Sequence, residues 1–595
     1  MIVEKNRHMS IQAHYEPSSG LHRKSAAPAG KQPCDSTLVA ALESIVGREH
    51  VLTANRGASG FTKGYRHGQG EALAVVRPGT LLELWKVFKA SIEANAIVIM
   101  QAANTGLTGG STPDGEDYDR DVVLINTMRI DRIDILDAGR QVLCLPGSTL
   151  YELQEKIAPF GRTPHSVIGS TSIGASVIGG ICNNSGGALL KRGPAYTQLA
   201  LFAGVEADGT VRLVNHLGIE LGSDPEEILG RLDRGEYSKS DVGIPNGRLA
   251  SDKDYGEVIR NINAPTPARY NNDPRLLHEV SGSAGKLCVF AVRLDTFPMD
   301  GATKTFYIGS NDHTELTQLR RHMLADFASI PVTAEYVNRD TYRSTEFYGK
   351  DLFLLLKYGG THRVRSALKM KTAFDAICAR AGFSQSISDH LLQFLVRLLP
   401  NHLPKRMNAF RDKYEHHIML RMEGNGIEEA RAYLEARFPS ASGNYFECTE
   451  KEASDVFRHR YAVGGANVRY RAVHRQSVED ILAFDLALPR NTLDWRESIP
   501  AELERQIEKK MICGHFFCQV FHYDYAIKRG VDLKAFEQRM IDHVSSMGIE
   551  YPSEHNVGHS YRAKPQLEAF YRNLDPTNSM NPGIGRTTKK KNWDQ

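Results

Sequence analysis

The sequence predicts an α+β protein of several domains, and three observations support this class. Residues 73–126 alternate between strand-like and helix-like patterns. Two long glycine-rich segments lie in the first half of the chain. From about Phe297 onward, helical, charged and aromatic stretches dominate, as in Leu316–Phe327. The chain has 595 residues, whereas one hydrophobic core normally organises no more than ~250–300, so several domains are expected.

The pattern of residues 73–125 predicts a β-α-β unit that contains a glycine-rich turn. Leu73–Arg77 and Ala96–Met100 are short apolar runs typical of strands, and residues 81–88 between them have apolar side chains at helical spacing. Val122–Ile125 predicts a third strand. Gln101–Ser111 (QAANTGLTGGS) has too many small residues for a regular element, so it predicts a loop after the second strand.

A second glycine-rich segment, Gly169–Gly187, reads GSTSIGASVIGGICNNSGG. Beyond it, Leu199–Val205 and Val211–Val214 flank Asp208-Gly209, a pair typical of a hairpin turn. Leu287–Leu294 predicts a further buried strand. Small side chains at two such loops allow backbone N–H groups to approach a pyrophosphate closely. The alternative is that both loops are tight turns without a ligand.

The usual nucleotide signatures are missing from the chain. No G-x-G-x-x-G opens a helix after a strand, no G-x-x-x-x-G-K-[ST] occurs, and Gly282–Lys286 (GSAGK) is too short for the second pattern. A Rossmann NAD enzyme and a P-loop NTPase are therefore disfavoured. The net charge of +3 argues against a nucleic-acid-binding protein.

Composition also constrains where the protein works. No run approaches the ~18–20 apolar residues of a spanning helix. The N-terminus lacks the apolar region of a signal peptide, which disfavours secretion by that route. Residues 1–34 carry scattered polar and charged side chains without apolar periodicity, which predicts a disordered tail. The eight cysteines form no CxxC pair, which favours a reducing cytosolic setting.

Two long segments carry a family resemblance. Residues 75–113 (VVRPGTLLELWKVFKASIEANAIVIMQAANTGLTGGSTP) and 164–187 (PHSVIGSTSIGASVIGGICNNSGG) resemble the FAD-binding domain of the vanillyl-alcohol oxidase superfamily. More narrowly, the chain resembles the bacterial respiratory, quinone-dependent D-lactate dehydrogenases, through further segments such as RDKYEHH (Arg411–His417) and DPTNSMNPGIG (Asp575–Gly585). The resemblance covers nearly everything except the first ~35 residues.

The resemblance implies a domain plan. A two-lobed FAD-binding domain would consist of residues 35–295 and 546–595, and an α+β cap domain of 296–340 and 415–545. A basic, membrane-associated insert would occupy 341–414, where each Lys or Arg near an anionic lipid surface contributes ~1 kcal/mol. The alternative is an ordinary solvated basic face. The implied location is peripheral, on the cytoplasmic face of the inner membrane.

The resemblance also implies which residues bind the cofactor. The positions that match the first loop, the second loop and a main-chain contact are, in chain order, Ala102, Ala103, Asn104, Thr105, Gly106, Gly110, Ser111, Gly169, Ser176, Gly186 and Val289. No histidine or cysteine matches a covalent flavin link, so we expect FAD to be bound non-covalently.

The C-terminal part contains the implied catalytic groups. Oxidising a 2-hydroxy acid requires a base for the hydroxyl proton while hydride leaves the α-carbon, and histidine is suited to this near neutral pH. Related flavin 2-hydroxy-acid dehydrogenases carry GH-x6-H and EH motifs, which match His515, His522, Glu554 and His555. By resemblance, the first three would bind a divalent metal and His555 would be the base.

Two points in this assignment stay open. The relatives have a glycine-rich turn between the two histidines, whereas this chain has FFCQVF, so a purely hydrogen-bonded pocket without metal is an alternative. A bidentate arginine suits the substrate carboxylate. Arg460 resembles the corresponding arginine of the relatives, with Asp485 on a nearby strand; Arg339, Arg411 and Arg469 are competitors.

The implied function is FAD-dependent oxidation of D-lactate to pyruvate, with electrons passed to a membrane quinone. A close alternative is another D-2-hydroxy acid, such as glycolate or 2-hydroxyglutarate. An alternative from a different class is a basic membrane- or nucleic-acid-associated scaffold whose glycine loops are only structural.

Overall fold

The computed structural model describes residues 36–166, 171, 174–243, 247–360, 363–381 and 387–594. The predicted tail (1–34) and Gly169 lie outside the described residues. The described part of the chain forms a small mixed sheet, two antiparallel sheets, a two-stranded ribbon and a group of helices between two neighbouring strands.

The first sheet has four strands and confirms the predicted β-α-β unit. Its strand order is β1-β2-β4-β3, and β2 and β3 are both parallel to β4. The second helix begins where Thr80 accepts a hydrogen bond from the Glu83 backbone N–H at 3.0 Å. Its elements are α1 (Ser36–Val46), β1 (Val51–Leu52), β2 (Ala74–Val76), α2 (Leu81–Glu93), β3 (Ile97–Gln101) and β4 (Val122–Asn126).

The second sheet has five antiparallel strands in the order β5-β6-β10-β8-β9. The predicted hairpin joins β8 to β9, and Gly209 at its turn has a φ of 85°. This part of the chain contains β5 (Ile133–Leu136), β6 (Gln141–Cys144), α3 (Leu150–Ile157), β7 (Arg162–Thr163), α4 (Val177–Cys182), β8 (Ala200–Val205), β9 (Val211–Asn215), α5 (Pro225–Arg234), α6 (Tyr255–Arg260), β10 (Cys288–Asp295) and β11 (Phe297–Pro298), which pairs with β7.

The third sheet has seven antiparallel strands in the order β15-β12-β14-β13-β17-β18-β16. Buried aromatic and aliphatic side chains connect it to the helices on its faces. The sheet and its helices comprise β12 (Thr303–Ser310), α7 (His313–Asp326), β13 (Thr333–Asn338), β14 (His416–Glu423), α13 (Gly426–Arg437), β15 (Gly443–Glu447), α14 (Glu450–Tyr461), α15 (Val463–Val473), β16 (Val478–Ala487), α16 (Ala501–Glu504), β17 (Ile507–His515), β18 (Val520–Lys528) and α17 (Leu533–Ser546).

Between β13 and β14 the described residues form five helices, which we call the helical insert: α8 (Arg339–Tyr348), α9 (Lys350–Gly359), α10 (Val364–Arg380), α11 (Ile387–Arg397) and α12 (Lys405–Lys413). Several large apolar side chains of the insert are exposed, including Tyr358 (78%), Met370 (74%) and Leu398 (71%). In the part of the chain that the structure describes, no helix is both long enough and apolar enough to cross a bilayer.

Some of the basic residues of the insert are engaged in ion pairs, which the sequence did not indicate. Lys371 contacts Asp389 at 2.9 Å, Arg406 pairs with Glu452, and Arg411 pairs with Glu346. Their positive charges are therefore partly compensated within the protein. The domain boundaries drawn from the sequence stay predictions.

The C-terminal residues return to the first sheet after α18 (Pro565–Leu574). Val98, on the edge strand β3, pairs with Met580, and its N–H donates to the Ser579 carbonyl at 2.9 Å. Trp593 is 5% exposed and donates from Nε1 to the Asp575 carbonyl at 2.8 Å. Met580 therefore packs in the core of the first sheet, whereas Trp593 packs in the larger core that includes the seven-stranded sheet.

Replacing Trp593 with alanine should lower the free energy of unfolding by about 3–5 kcal/mol, because it empties a buried indole site. Urea unfolding followed by far-UV circular dichroism measures this loss. Leu493→Ala is the matched control, since Leu493 is 59% exposed and a surface truncation normally stays within about 0.5 kcal/mol. Equal losses in the two variants would contradict the packing role of Trp593.

Candidate active site

A cavity of about 1710 Å³ lies where the glycine-rich loops meet the seven-stranded sheet. Of the eleven residues that the sequence assigns to FAD, all those described line this cavity: Ala102, Ala103, Asn104, Thr105, Gly106, Gly110, Ser111, Ser176, Gly186 and Val289. The eleventh, Gly169, belongs to a stretch that the structure does not describe. The five predicted catalytic and metal-binding residues line the same cavity: Arg460, His515, His522, Glu554 and His555.

The first loop is held by its own polar side chains. Asn104 has a positive φ of 52° and donates from Nδ2 to the Lys63 carbonyl at 2.8 Å. Ser111 donates its hydroxyl to Asn104 Oδ1 at 2.9 Å. These two side chains fix the conformation of the loop. The loop borders open space at Gly106, because a Cβ built there would meet no described atom within 4 Å. Such a cradle fits a ligand that is bound by main-chain groups.

The second loop brings its backbone next to the acidic group of the site. Ser176 caps α4 by accepting a hydrogen bond from the Gly179 N–H at 3.1 Å. A Cβ placed on Gly186 would lie 2.6 Å from Glu554 Oε1, so only glycine allows this approach. The cofactor loop and the C-terminal motif are therefore in direct contact.

Strand register brings the ionisable residues together. Glu335 on β13 lies opposite His515 on β17, and Asp485 on β16 lies opposite His522 on β18. Glu554 and His555 lie in the segment between α17 and α18. Four adjacent strands and one loop thus bring these residues together at the seven-stranded sheet.

His515 lies between two carboxylates. Its Nδ1 is 2.7 Å from Glu335 Oε1 and its Nε2 is 3.2 Å from Glu554 Oε2. Burial would lower the pKa of His515, but the two carboxylates raise it to about 9. Burial raises the pKa of Glu335 and Glu554, yet each ends at about 2, Glu335 chiefly because of His515 and then Arg460, and Glu554 because of Arg269 and then His515. At neutral pH, without a metal, His515 is therefore a buried cation.

Asp485 accepts four contacts from groups around it. They come from the Ser553 hydroxyl (2.5 Å), the Glu554 N–H (2.8 Å), His555 Nδ1 (2.7 Å) and His522 Nδ1 (3.2 Å). Burial opposes ionisation of this carboxyl, but the two histidines hold its pKa well below the usual value. Burial likewise lowers the pKa of His555, while the charge of Asp485 outweighs this and raises it.

The predicted metal ligands form a compact group. One ligand atom from each of His515, His522 and Glu554 lies within 4.8 Å of the others. Glu335 contacts the second nitrogen of His515, as carboxylates commonly do behind a metal-bound histidine. The donor set of two imidazoles and one carboxylate suits a zinc-like divalent cation. A cation would have to displace the proton of His515.

Arg460 extends this charge network, because its Nε lies 2.9 Å from Glu335 Oε2. Of its competitors, Arg339 and Arg411 bind elsewhere, to the Tyr414 carbonyl and to Glu346, and do not line the cavity. Arg469 lines the cavity but pairs with Asp351 and Asp389.

The sequence reasoning missed two members of the network, Glu335 and Arg269. Arg269 is 1% exposed, pairs with Glu554 and donates to the Gly187 carbonyl at 2.5 Å. Glu335 could have been suspected, because it is a lone acid in the otherwise uncharged strand β13 (TAEYVN). Nothing in the sequence distinguishes Arg269 from a surface arginine.

Replacing Arg269 with methionine should destabilise the protein by about 3–5 kcal/mol. The reason is that the buried carboxylate of Glu554 would keep only His515 as a cationic partner among the described residues. Urea unfolding measures this change. The matched control is Arg234→Met, which removes an exposed ion pair with Glu236 and should leave the midpoint unchanged. A midpoint for Arg269→Met equal to that of the control would contradict a structural role for the Arg269–Glu554 pair.

Comparison with known proteins agrees with this geometry. Residues 305–593 match the family described as "D-lactate dehydrogenase, membrane binding", and residues 72–215 match the "FAD binding domain" family. Among solved structures, p-cresol methylhydroxylase superposes with a TM-score of 0.56 at 12% identity, covering 94% of this chain and 98% of that one. Alkyldihydroxyacetonephosphate synthase gives 0.56 at 11%, covering 95% and 88%. These two structures confirm the predicted fold class.

Two relatives are similar over nearly their whole length. The chain is 52% identical over 555 residues to the quinone-dependent D-lactate dehydrogenase of Escherichia coli (strain K12), covering 93% of this chain and 97% of that protein. It is 51% identical over 558 residues to the enzyme of the same name from Haemophilus influenzae (strain Rd), covering 93% and 99%. The chain therefore belongs to the family of quinone-dependent D-lactate dehydrogenases.

Proposed function

We propose that this protein binds FAD non-covalently, oxidises D-lactate to pyruvate and passes the electrons to a quinone. The observation that carries the proposal is the His555–Asp485 pair, which lies on the cavity that the glycine-rich loops also line. Family membership supports the substrate and the acceptor. When bound, FAD supplies the acceptor for the hydride that leaves the substrate α-carbon.

His555 is the base in this proposal. An ionised carboxylate can only accept hydrogen bonds, so the proton shared with Asp485 is carried by His555 Nδ1. In the neutral imidazole this leaves Nε2 as an acceptor for the substrate hydroxyl proton. Asp485 therefore selects the tautomer of His555 and orients its ring, and it stabilises the imidazolium that forms when the proton arrives.

Arg460 is the proposed partner of the substrate carboxylate. Its guanidinium lies on the cavity and pairs with Glu335, which in turn contacts His515. Where a divalent cation is present, His515, His522 and Glu554 would hold it, and it would lower the pKa of the substrate hydroxyl. Without one, the protonated His515 supplies positive charge at the same place.

We also place the enzyme on the cytoplasmic face of a membrane, as a peripheral protein. The match to the membrane-binding family covers residues 305–593 and so includes the helical insert. Exposed apolar side chains on the insert suit burial at an interface, where basic neighbours add attraction to anionic lipids. The choice of face is supported by the absence of CxxC pairs in the sequence, a pattern that favours a reducing compartment.

Replacing His555 with glutamine should slow flavin reduction by D-lactate at least a hundredfold, because a positioned base contributes about 10²–10⁴-fold. Stopped-flow bleaching of the bound flavin measures the rate, and the flavin content should not change. His543→Gln is the control, because His543 is half-buried outside the cavity lining and its side chain bonds only the Ser498 carbonyl among the described groups. An unchanged rate in His555→Gln would reject the base.

A panel of 2-hydroxy acids tests the substrate with the same bleaching measurement. D-lactate should reduce the flavin with a higher kcat/KM than glycolate or 2-hydroxyglutarate. A larger value for either comparator would move the proposal to that acid, and a purified protein without flavin absorption would remove it altogether.

Replacing Asp485 with asparagine should move the acid limb of kcat/KM to lower pH. A base works when unprotonated, so activity rises as pH passes through the pKa of His555, which Asp485 raises above its ordinary value of 6.5. Without that charge, burial lowers the pKa of His555 and the rise occurs at lower pH, although the plateau also falls. A pH profile of flavin reduction measures both. An acid limb that stays in place or moves upward would contradict the coupling.

A further inference from the structure

The cavity continues beyond the residues assigned to FAD and lactate. At its far side it is lined by apolar side chains of the helical insert, which we call the insert arm: Leu352, Leu355, Ala367, Met370, Phe374 and Leu392. The whole cavity of about 1710 Å³ includes the proposed FAD and lactate sites, and the insert arm is the part of it that the insert residues line. A small anionic acid has no use for an apolar arm of this kind.

One wall of the cavity connects the catalytic end to the arm. It is formed by α14 and α15, which are joined at Ala462 in a helical conformation. Arg460 lies at the catalytic end, beside Glu335, and Arg469 lies at the other end, paired with Asp389 of α11. The two arginines are nine positions apart in the sequence, which corresponds to a rise of about 13 Å along helical backbone at 1.5 Å per residue. The arm therefore begins next to the proposed substrate site and leads into the insert.

The arm also opens to the outside of the insert. Met370 and Phe374 line it and are nevertheless 74% and 44% exposed. Other exposed apolar side chains lie on the same two helices, α10 and α11, among them Ile377 and Phe394. An apolar ligand held in the arm could thus extend into the surface that would contact lipid.

The Nη1 group of Arg469 is a buried donor without a hydrogen-bond acceptor among the described residues. Its Nε donates to Asp389 at 2.7 Å and its Nη2 to Asp351 at 2.7 Å, while Nη1 has no hydrogen-bond partner among the described residues. Arg469 is 6% exposed and lines the cavity. A buried donor without an acceptor is costly. Since two carboxylates already compensate the charge, the missing partner is a neutral acceptor, such as a carbonyl oxygen.

We propose that the insert arm is the binding site of an isoprenoid quinone, with a ring carbonyl accepting a hydrogen bond from Arg469 Nη1 and the tail leaving past Met370 and Phe374. This inference rests on the proposed function, which supplies the reductant. Reduction of the quinone to the quinol takes up two electrons and two protons, and reoxidation of the two-electron-reduced flavin releases the same number. No further reactant is needed.

Gly464 offers a way to block the arm without disturbing the protein. It lies in α15 between the two arginines and lines the cavity, and no described atom is within 4 Å of a Cβ built on it. Gly464→Leu would therefore fill cavity space rather than displace a neighbour. Gly256→Leu is the matched control, because Gly256 is also helical and also faces open space, but lies outside the cavity lining.

The test compares these two variants of the holoenzyme with ubiquinone-1. Gly464→Leu should raise the calorimetric Kd of the oxidised enzyme for ubiquinone-1 at least tenfold. It should slow reoxidation of the reduced flavin by ubiquinone-1 to a similar extent. Flavin content, reduction by D-lactate and reoxidation by ferricyanide should stay within twofold of wild type. A Kd that changes no more than in Gly256→Leu overturns the proposal.

Arg469→Lys is the second variant, and it decides the question if Gly464→Leu does not retain flavin. Lysine keeps a positive charge for Asp389 but lacks the Nη1 donor, so the Kd for ubiquinone-1 should rise at least fivefold, and an unchanged Kd overturns the assignment. Loss of affinity for phosphatidylglycerol vesicles without loss for ubiquinone-1 would assign the arm to lipid instead. If D-lactate fails to reduce wild-type flavin while Gly464→Leu still weakens ubiquinone-1 binding, the proposed function fails and the quinone site stands.

Discussion

The buried carboxylate of Asp485 is the interaction on which the rest of the site depends. It is 5% exposed and accepts contacts from Ser553, Glu554, His555 and His522. Asp485 belongs to the seven-stranded sheet, whereas residues 553–555 lead into the segment that packs on the four-stranded sheet. One ionised side chain thus joins two halves of the molecule and sets the tautomer of the proposed base. We expect small shifts of the Asp485 carboxylate to be costly, because each hydrogen bond that is lost leaves a buried negative charge less compensated.

The remaining ionisable residues follow an alternation of sign that extends through the site. Arg269, Glu554, His515, Glu335 and Arg460 form a continuous series in which each group contacts one of opposite charge. The two ends of the series, Arg269 and Arg460, are cations, so a positive charge lies on either side of His515 and its two carboxylates. An anionic hydroxy acid would be attracted to such a place, and the carboxylates between the cations keep the buried charge from being excessive.

Sequence patterns were informative where local chemistry decides structure. The first β-α-β unit and the hairpin at Asp208-Gly209 could be predicted because apolar periodicity and turn residues act over a few positions. The glycine-rich loops were recognisable for a similar reason, since small side chains at a strand end have few other uses. The fold class and the family are confirmed, while the roles of the individual site residues stay predictions.

Contacts between residues that are far apart in the sequence could not be predicted from local patterns. Glu335 and His515 are separated by 180 residues and meet only because β13 pairs with β17. Arg269 reaches Glu554 from a segment without any periodic pattern. The insert illustrates a second limit, because its net basic character was visible in the sequence but its ion pairs with Glu346, Asp389 and Glu452 were not. The apolar arm of the cavity depends on helix packing, which no short pattern encodes.

The pairing of Val98 with Met580 has a consequence for biosynthesis. The strand β3 forms an edge of the first sheet, and Val98 in it pairs with Met580. Arg120, which helps to hold the Met580 segment, is 459 residues away from its partner Ser579. Until residues 579–581 have been translated, the edge strand Ile97–Gln101 lacks this pairing and is open to strand addition by another nascent chain. Docking of residues 579–581 on β3 therefore removes an aggregation hazard.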